Sequence, residues 1–163
     1  ARKVCVEGKD ADELRAGRDE LGGASVLEAL LEPTRIYVKP VNAVLAAEPG
    51  AVRALAHITG GGISENLNRA LPASCDAVVE LGTWPVPPVI SFVCDAANLS
   101  EEEALKTFNM GTGMILIVDP ERVRAVEEAL AAAGEKTYRI GRIVEGTGEV
   151  AYENEGELYG FGA

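Results

Sequence analysis

The chain has 163 residues, 47% of them hydrophobic, enough for one substantial buried core and in favour of one compact unit over two. Its 15 Lys and Arg stand against 26 Asp and Glu, and a formal net charge of −11 disfavours a nucleic-acid partner, whose affinity comes from cations that replace counterions. No apolar run reaches the roughly 20 residues that span a bilayer, and Cys5, Cys75 and Cys94 are odd in number without C-x-x-C spacing, which disfavours a membrane protein, a disulfide scaffold and a structural zinc site. Reduced thiols in a cytoplasmic protein fit that pattern.

The chain opens Ala1-Arg2-Lys3-Val4-Cys5 with no methionine and no N-cap, which reads as a piece of something longer. Ser25 lies three residues before Glu28, a capping box that predicts a short helix over 26–31 closed by Pro33. Residues 34–38 carry β-branched and aromatic side chains that suggest a strand, whereas Val41, Val44 and Leu45 have helical spacing up to Pro49-Gly50; both readings stay open here. Residues 52–58 read as a strand running into Thr59-Gly60-Gly61-Gly62, followed by an amphipathic helix with Ile63, Leu67 and Leu71 on one face. A strand over 76–81, an apolar helix over 87–97 with proline in its first turn, and a helix to Thr107 opened by the Ser100/Glu103 capping box come next.

Residues 114–118 are an unbroken apolar run of the length of a buried strand. Asp119 as N-cap, Pro120 at the first helical position and Gly134 as C-cap bracket a helix over 120–133 with Val123, Val126 and Leu130 on one face. A strand over 136–144 follows, so that the 114–118 strand, this helix and that strand predict a βαβ-type unit; 149–153 reads as an edge strand and 156–163 as a flexible end. The expected class is α/β, a mixed sheet with helices on both faces.

The most informative segment is His57-Ile58-Thr59-Gly60-Gly61-Gly62-Ile63-Ser64-Glu65-Asn66, because glycines between a strand and a helix let backbone N–H groups close on an anion. Thr59 and Asn66 add neutral hydrogen-bonding groups, and Arg69, two turns on, reaches only a large ligand. His57 is the one histidine, placed to orient a substrate or move a proton, although a lone histidine at a strand end is more often structural. Asn109 and Gly111, in Thr107-Phe108-Asn109-Met110-Gly111, predict a second ligand-facing loop, and Arg35 a phosphate clamp. Trp84, before Pro85, Pro87 and Pro88, reads as a packed aromatic. No Walker A sequence, Ser/His/Asp set or metal-ligand cluster is complete.

Taken together, Pro33-Thr34-Arg35-Ile36-Tyr37-Val38, Ala56-His57-Ile58-Thr59-Gly60-Gly61-Gly62, Glu65-Asn66, Arg69 with Leu71-Pro72, and Thr107-Phe108-Asn109-Met110-Gly111 resemble the aminoimidazole ribonucleotide synthetase family, the phosphoribosylformylglycinamidine cyclo-ligases. The resemblance implies a three-layer α/β/α C-terminal domain over 1–146, an acidic edge strand and tail over 147–163, and an N-terminal ATP-binding half outside this chain. It implies an ATP-dependent ligase of purine biosynthesis that cyclises formylglycinamidine ribonucleotide to aminoimidazole ribonucleotide. By the same resemblance, the formyl-derived amide oxygen would be phosphorylated so that it can leave. ATP and Mg2+ would be bound mainly by the N-terminal half and none by this segment alone, which would be inactive by itself; the intact assembly would be a cytoplasmic homodimer.

By the same resemblance His57 would act in catalysis, and Thr59, Gly60, Gly61, Gly62, Asn66, Arg69, Asn109, Gly111 and Arg35 would hold substrate or phosphate. Two alternatives stand beside it. One is a related ATP-using enzyme, such as formylglycinamidine ribonucleotide synthetase, a selenophosphate synthetase or a hydrogenase-maturation protein. The other is a non-catalytic domain that binds a phosphorylated metabolite.

Overall fold

The computed structural model describes residues 1–154. Two short helices, α1 (Arg2–Cys5) and α2 (Ala11–Arg15), open the chain, the second capped by Asp10, whose carboxylate accepts the Glu13 N–H. α3 (Val26–Leu31) begins at the expected capping box, with the Ser25 hydroxyl accepting the Glu28 N–H and the Glu28 carboxylate accepting the Ser25 N–H. These three helices and Val93 enclose a small apolar cluster of Cys5, Leu14, Leu21 and Val26.

The segment where strand and helix readings competed resolves against the strand. Residues 32–37 run without a ladder partner, and α4 (Val38–Ala47) starts at the last residue of the suggested strand. Pro40 is buried in its first turn, where a missing N–H breaks no intrahelical bond, so the spacing of Val41 and Val44 outweighs the β-branched content before it.

β1 (Val52–His57), α5 (Gly62–Leu67) with a 3₁₀ turn at Asn68–Ala70, β2 (Cys75–Glu80), α6 (Pro88–Ala97), α7 (Glu101–Thr107) and β3 (Met114–Val118) follow close to expectation. Leu71 lies beyond the end of α5. The 120–133 helix divides into a 3₁₀ turn, Pro120–Arg122, and α8 (Val123–Ala132), because Asp119 caps the nearer Glu121 N–H and also takes the Arg53 guanidinium at 2.6 Å. β4 (Gly141–Glu145) and β5 (Val150–Glu153) complete the described chain. The tail expected over 156–163 lies outside the described residues.

The strands form two ladders. β1 pairs antiparallel with β3, and β2 lies at the centre of a mixed ladder, antiparallel to β4 and parallel to β5. The expected βαβ unit is therefore corrected: β3 and β4 belong to different ladders. Residues 136–139, Lys-Thr-Tyr-Arg, are exposed and stay out of any ladder. Pairing starts instead near Gly141, whose bare Cα lies against the Val78 carbonyl, where a Cβ would come within 2.0 Å.

Helices cover both faces of the β1/β3 ladder. Leu116 and Val118 of β3 face Val44, Val126 and Leu130 of α4 and α8, while Ile115 and Ile117 join the main core with Ile63, Leu67, Ala104 and Leu105. A strand covered on both faces has no polar side to show, which is why β3 is apolar throughout. No helix among the described residues is long and apolar enough to cross a membrane.

Two contacts fix the chain around this frame. Gly62, at φ +64°, brings its Cα against the Leu105 carbonyl, where a Cβ would stand 1.8 Å away, so α5 and α7 touch through a residue with no side chain. Asp76 accepts the N–H groups of Thr147, Gly148 and Glu149 on one oxygen at 2.7, 2.9 and 2.8 Å, closing the turn between β4 and β5.

Gly62→Ala combines left-handed strain with a backbone clash, and it is expected to lower unfolding stability by about 2–4 kcal/mol in denaturant titrations. At Asp76 the Glu149 N–H, then those of Thr147 and Gly148, hold the carboxyl below the usual aspartate range against the opposing effect of burial. A lowered folded value means stability that is present above the unfolded pKa of about 3.9 and lost as pH falls through the folded value. Denaturant midpoints measured from pH 6 down to about pH 2 should therefore fall less steeply in Asp76→Asn, which cannot titrate there, than in the wild type.

Candidate functional site

Because β1 and β3 are antiparallel, with His57 opposite Met114, the C-terminal end of β1 and the N-terminal end of β3 lie side by side. The ladder is continued by one further bond, Ile58 N–H to the Gly113 carbonyl at 3.0 Å. Both glycine-rich loops, the one that leaves β1 and the one that enters β3, are thereby brought to the same edge of the domain.

The first loop is held by its own helix. The Asn66 amide donates to the Gly60 carbonyl at 3.1 Å and to the Gly62 carbonyl at 2.8 Å, so Asn66 shapes the loop and its N–H donors are already engaged. Gly61 is the N-cap of α5 at φ +92°, with the Glu65 carboxylate directly beneath it. α5 is six residues long, under two turns, and its weak dipole already faces a carboxylate.

The second loop is held from outside. Met110 is fully buried in a left-handed conformation, φ 51°, and its carbonyl accepts the Trp84 indole N–H at 2.9 Å. Trp84 is thus packed as expected and also clamps the loop. Gly111, at φ +89°, lies against the Pro87 ring, where a Cβ would come within 2.4 Å. The Asn109 carboxamide oxygen accepts the Gly111 N–H at 3.0 Å, leaving its NH₂ group without a partner among the described residues.

Between the loops lies a cleft of about 350 Å3. His57, Ile58 and Thr59 form one wall, Asn109 and Gly113 another, and Thr34, Arg35 and Tyr37 close it from the segment before α4. His57 is exposed, its ring edge-on to Tyr37 with centroids 6.1 Å apart. The Arg35 guanidinium is 3.2 Å from the Glu135 carboxylate. Among the described residues the lining holds hydroxyls, an amide, an imidazole and a guanidinium but no carboxylate, a donor set for an anion or a carbonyl oxygen.

The same set does not suit Mg2+, which takes oxygen ligands and usually one or two carboxylates. Among the described residues no group of three or more His, Cys, Asp or Glu is placed to hold a metal ion.

Of the residues singled out from sequence, the fold brings Arg35, His57, Thr59 and Asn109 together in the cleft. Gly60 and Gly61 form the loop after Thr59, and Gly62 and Asn66 lie in α5; none of the four lines the cleft. Gly111 borders a second, larger cavity of about 600 Å3 that opens between the two ladders. Arg69 is exposed on the 3₁₀ turn after α5, outside both cavities. Thr34, Tyr37 and Gly113 were not singled out; the signal for Tyr37 was its place two residues after Arg35 in a segment already noted.

Compared with known proteins, residues 5–153 match the family model described as AIR synthase related protein, C-terminal domain. A phosphoribosylformylglycinamidine cyclo-ligase of Brevibacillus brevis is 49% identical over 130 residues, 80% of this chain and 37% of that protein. One of Bacillus subtilis is 47% identical over 74% of this chain and 34% of that protein. The bifunctional purine biosynthetic protein purD of Dictyostelium discoideum is 46% identical over 72% of this chain and 14% of that protein. The chain thus spans about a third of the length of the bacterial relatives. Escherichia coli HypE superposes over 88% of this chain and 45% of its own with a TM-score of 0.57 at 20% identity, a likeness of fold alone.

Trp84→Phe leaves the buried Met110 carbonyl without its donor, and it is expected to lower stability by about 1–3 kcal/mol. Far-UV circular dichroism is the measurement, since Trp84 is the chain's one tryptophan and fluorescence is lost with it.

Proposed function

Because the chain belongs to the AIR synthase related C-terminal domain family, we propose that it forms the substrate-facing half of a phosphoribosylformylglycinamidine cyclo-ligase, which closes the imidazole ring of aminoimidazole ribonucleotide in the cytoplasm. The carrying observation is the cleft in which Arg35, His57, Thr59 and Asn109 converge from three separate segments. The whole enzyme is a homodimer in this reading. ATP and Mg2+ are held mainly by residues outside this chain in this reading.

Once the amide oxygen carries a phosphoryl group from ATP, ring closure joins an amine nitrogen to the amide carbon, the carbon–oxygen bond breaks with phosphate as the leaving group, and a proton must leave the nitrogen. His57, exposed at the end of β1, is placed to take that proton. The free NH₂ of Asn109 and the Thr59 hydroxyl are donors for the amide oxygen or for phosphate oxygens on it. Arg35 supplies the positive charge that the rest of this acidic chain lacks at the cleft, once it turns from Glu135 to the ligand. The first loop's part is to place Thr59, through the two Asn66 bonds.

The test is product formation from formylglycinamidine ribonucleotide with ATP and Mg2+, comparing this chain alone with the full-length enzyme that contains it. Activity is expected in the full-length enzyme only. In that enzyme His57→Ala should lower kcat by roughly 10²–10⁴-fold, the scale of a lost proton-transfer group, with a smaller change in KM. Unchanged turnover in His57→Ala would remove His57 from the reaction, and an inactive but folded full-length enzyme would remove the cyclo-ligase reading itself.

A further inference from the structure

The His57 imidazole has no hydrogen bond or ion pair among the described residues, so nothing polar sets which way it points. Its ring partner is Tyr37, edge-on at 6.1 Å with an interplanar angle of 64°, within the range in which aromatic rings attract through their quadrupoles. Tyr37 in turn has little freedom. It occupies the N-cap position of α4, whose first turns are anchored by buried Pro40 and Val44. At its other end the hydroxyl lies over Gly113, so closely that a Cβ on that glycine would stand 2.1 Å from the oxygen.

Gly113 directly precedes Met114, the ladder partner of His57. The imidazole and the seat of the Tyr37 hydroxyl are therefore carried by the same ladder end, and Tyr37 spans from α4 to that end beside His57. Arg35, Tyr37 and Gly113 line both the small cleft and the larger cavity beside it, so Tyr37 stands at the boundary between them.

We infer that Tyr37 is a positioning residue: braced between α4 and Gly113, its ring holds the His57 imidazole toward the small cleft and away from the larger cavity. This rests on the reading of His57 as a group that works in that cleft. The phenol hydroxyl takes no part in the chemistry; the ring edge and its bracing do the work. An imidazole free to swing about its side-chain torsions would spend much of its time out of reach of the attacking nitrogen, and misplacement by about 1 Å is enough to cost roughly a hundredfold in rate.

The test uses the fact that His57 is the only histidine in the chain, so its ring carbon-bound protons are assigned in the nuclear magnetic resonance spectrum without ambiguity. Three variants are compared with the wild type: Tyr37→Phe, which keeps the ring; Tyr37→Leu, which keeps apolar bulk without it; and Gly113→Ala, which displaces the phenol while leaving both Tyr37 and His57 in place. In Tyr37→Leu the His57 ring signals should lose the ring-current shift and the cross-relaxation to aromatic protons, in Gly113→Ala they should move in the same direction, and in Tyr37→Phe they should stay near the wild-type positions.

In the full-length enzyme Tyr37→Leu should lower kcat by roughly ten- to a hundredfold with KM changed by less than about threefold, and Tyr37→Phe should restore turnover to within about twofold of wild type. His57 signals in Tyr37→Leu that coincide with those of the wild type overturn the inference whatever the turnover. So does a Tyr37→Leu enzyme of normal kcat in which His57→Ala is inactive. A His57→Ala enzyme of normal turnover would instead overturn the role given to His57 itself, while the resonance comparison would still report whether Tyr37 orients it.

Discussion

The ladder between β1 and β3 is the constraint on which the rest of the arrangement depends. Its antiparallel sense puts the exit of one strand beside the start of the other, and the bond from Ile58 to the Gly113 carbonyl carries that pairing one residue past the strand end. Each loop is then stiffened by a different device. The first uses its own helix, through Asn66, and the second borrows a donor from Trp84, 26 residues earlier in the chain. Had the two strands been parallel, the loops would stand at opposite ends of the domain and Thr59 and Asn109 would share no cleft.

What was legible in the sequence was local. The capping boxes at Ser25/Glu28 and Ser100/Glu103 are each written within four residues, and both helices begin where they indicate. The apolar run at 114–118 announced a strand covered on both faces, and the glycines at 60–62 and 111–113 announced loops that approach other groups closely. What was not legible was partnership between distant segments. Residues 136–144 carry strand-like content, yet the ladder accepts them only from Gly141, because that is where a strand can close on the Val78 carbonyl. The Tyr37–His57 contact and the Arg35–Glu135 pair are of the same kind, joining residues 20 and 100 positions apart by subtraction of their numbers. Asn66 is a case that the motif alone did not describe: its amide donors are engaged by the backbone carbonyls of Gly60 and Gly62.

Electrostatics in the cleft run against those of the chain as a whole. A protein with a net charge of −11 gives no long-range welcome to a phosphorylated ligand, so attraction has to be supplied at short range. The cleft carries Arg35, and among the described residues its lining contains no carboxylate. Glu135 stands just outside it as a resting partner for the guanidinium. The Arg35 side chain is 59% exposed and that of Glu135 only 15%, so the pair is open to water on the side of its cation and covered on the side of its carboxylate.

The sequence separation across the β1/β3 ladder also governs when the cleft comes into being. His57 and Met114 must meet across an intervening stretch that includes β2, α6 and α7, and closing so long a loop is entropically costly until the strand contacts that reward it have formed. Neither glycine loop has its neighbour before then, and the helices attached to them, of six and seven residues, are too short to be stable by themselves. A chain emerging from the ribosome therefore carries the two glycine loops as separate, unmatched turns until β3 has been made, and they become neighbours only when β3 zips onto β1.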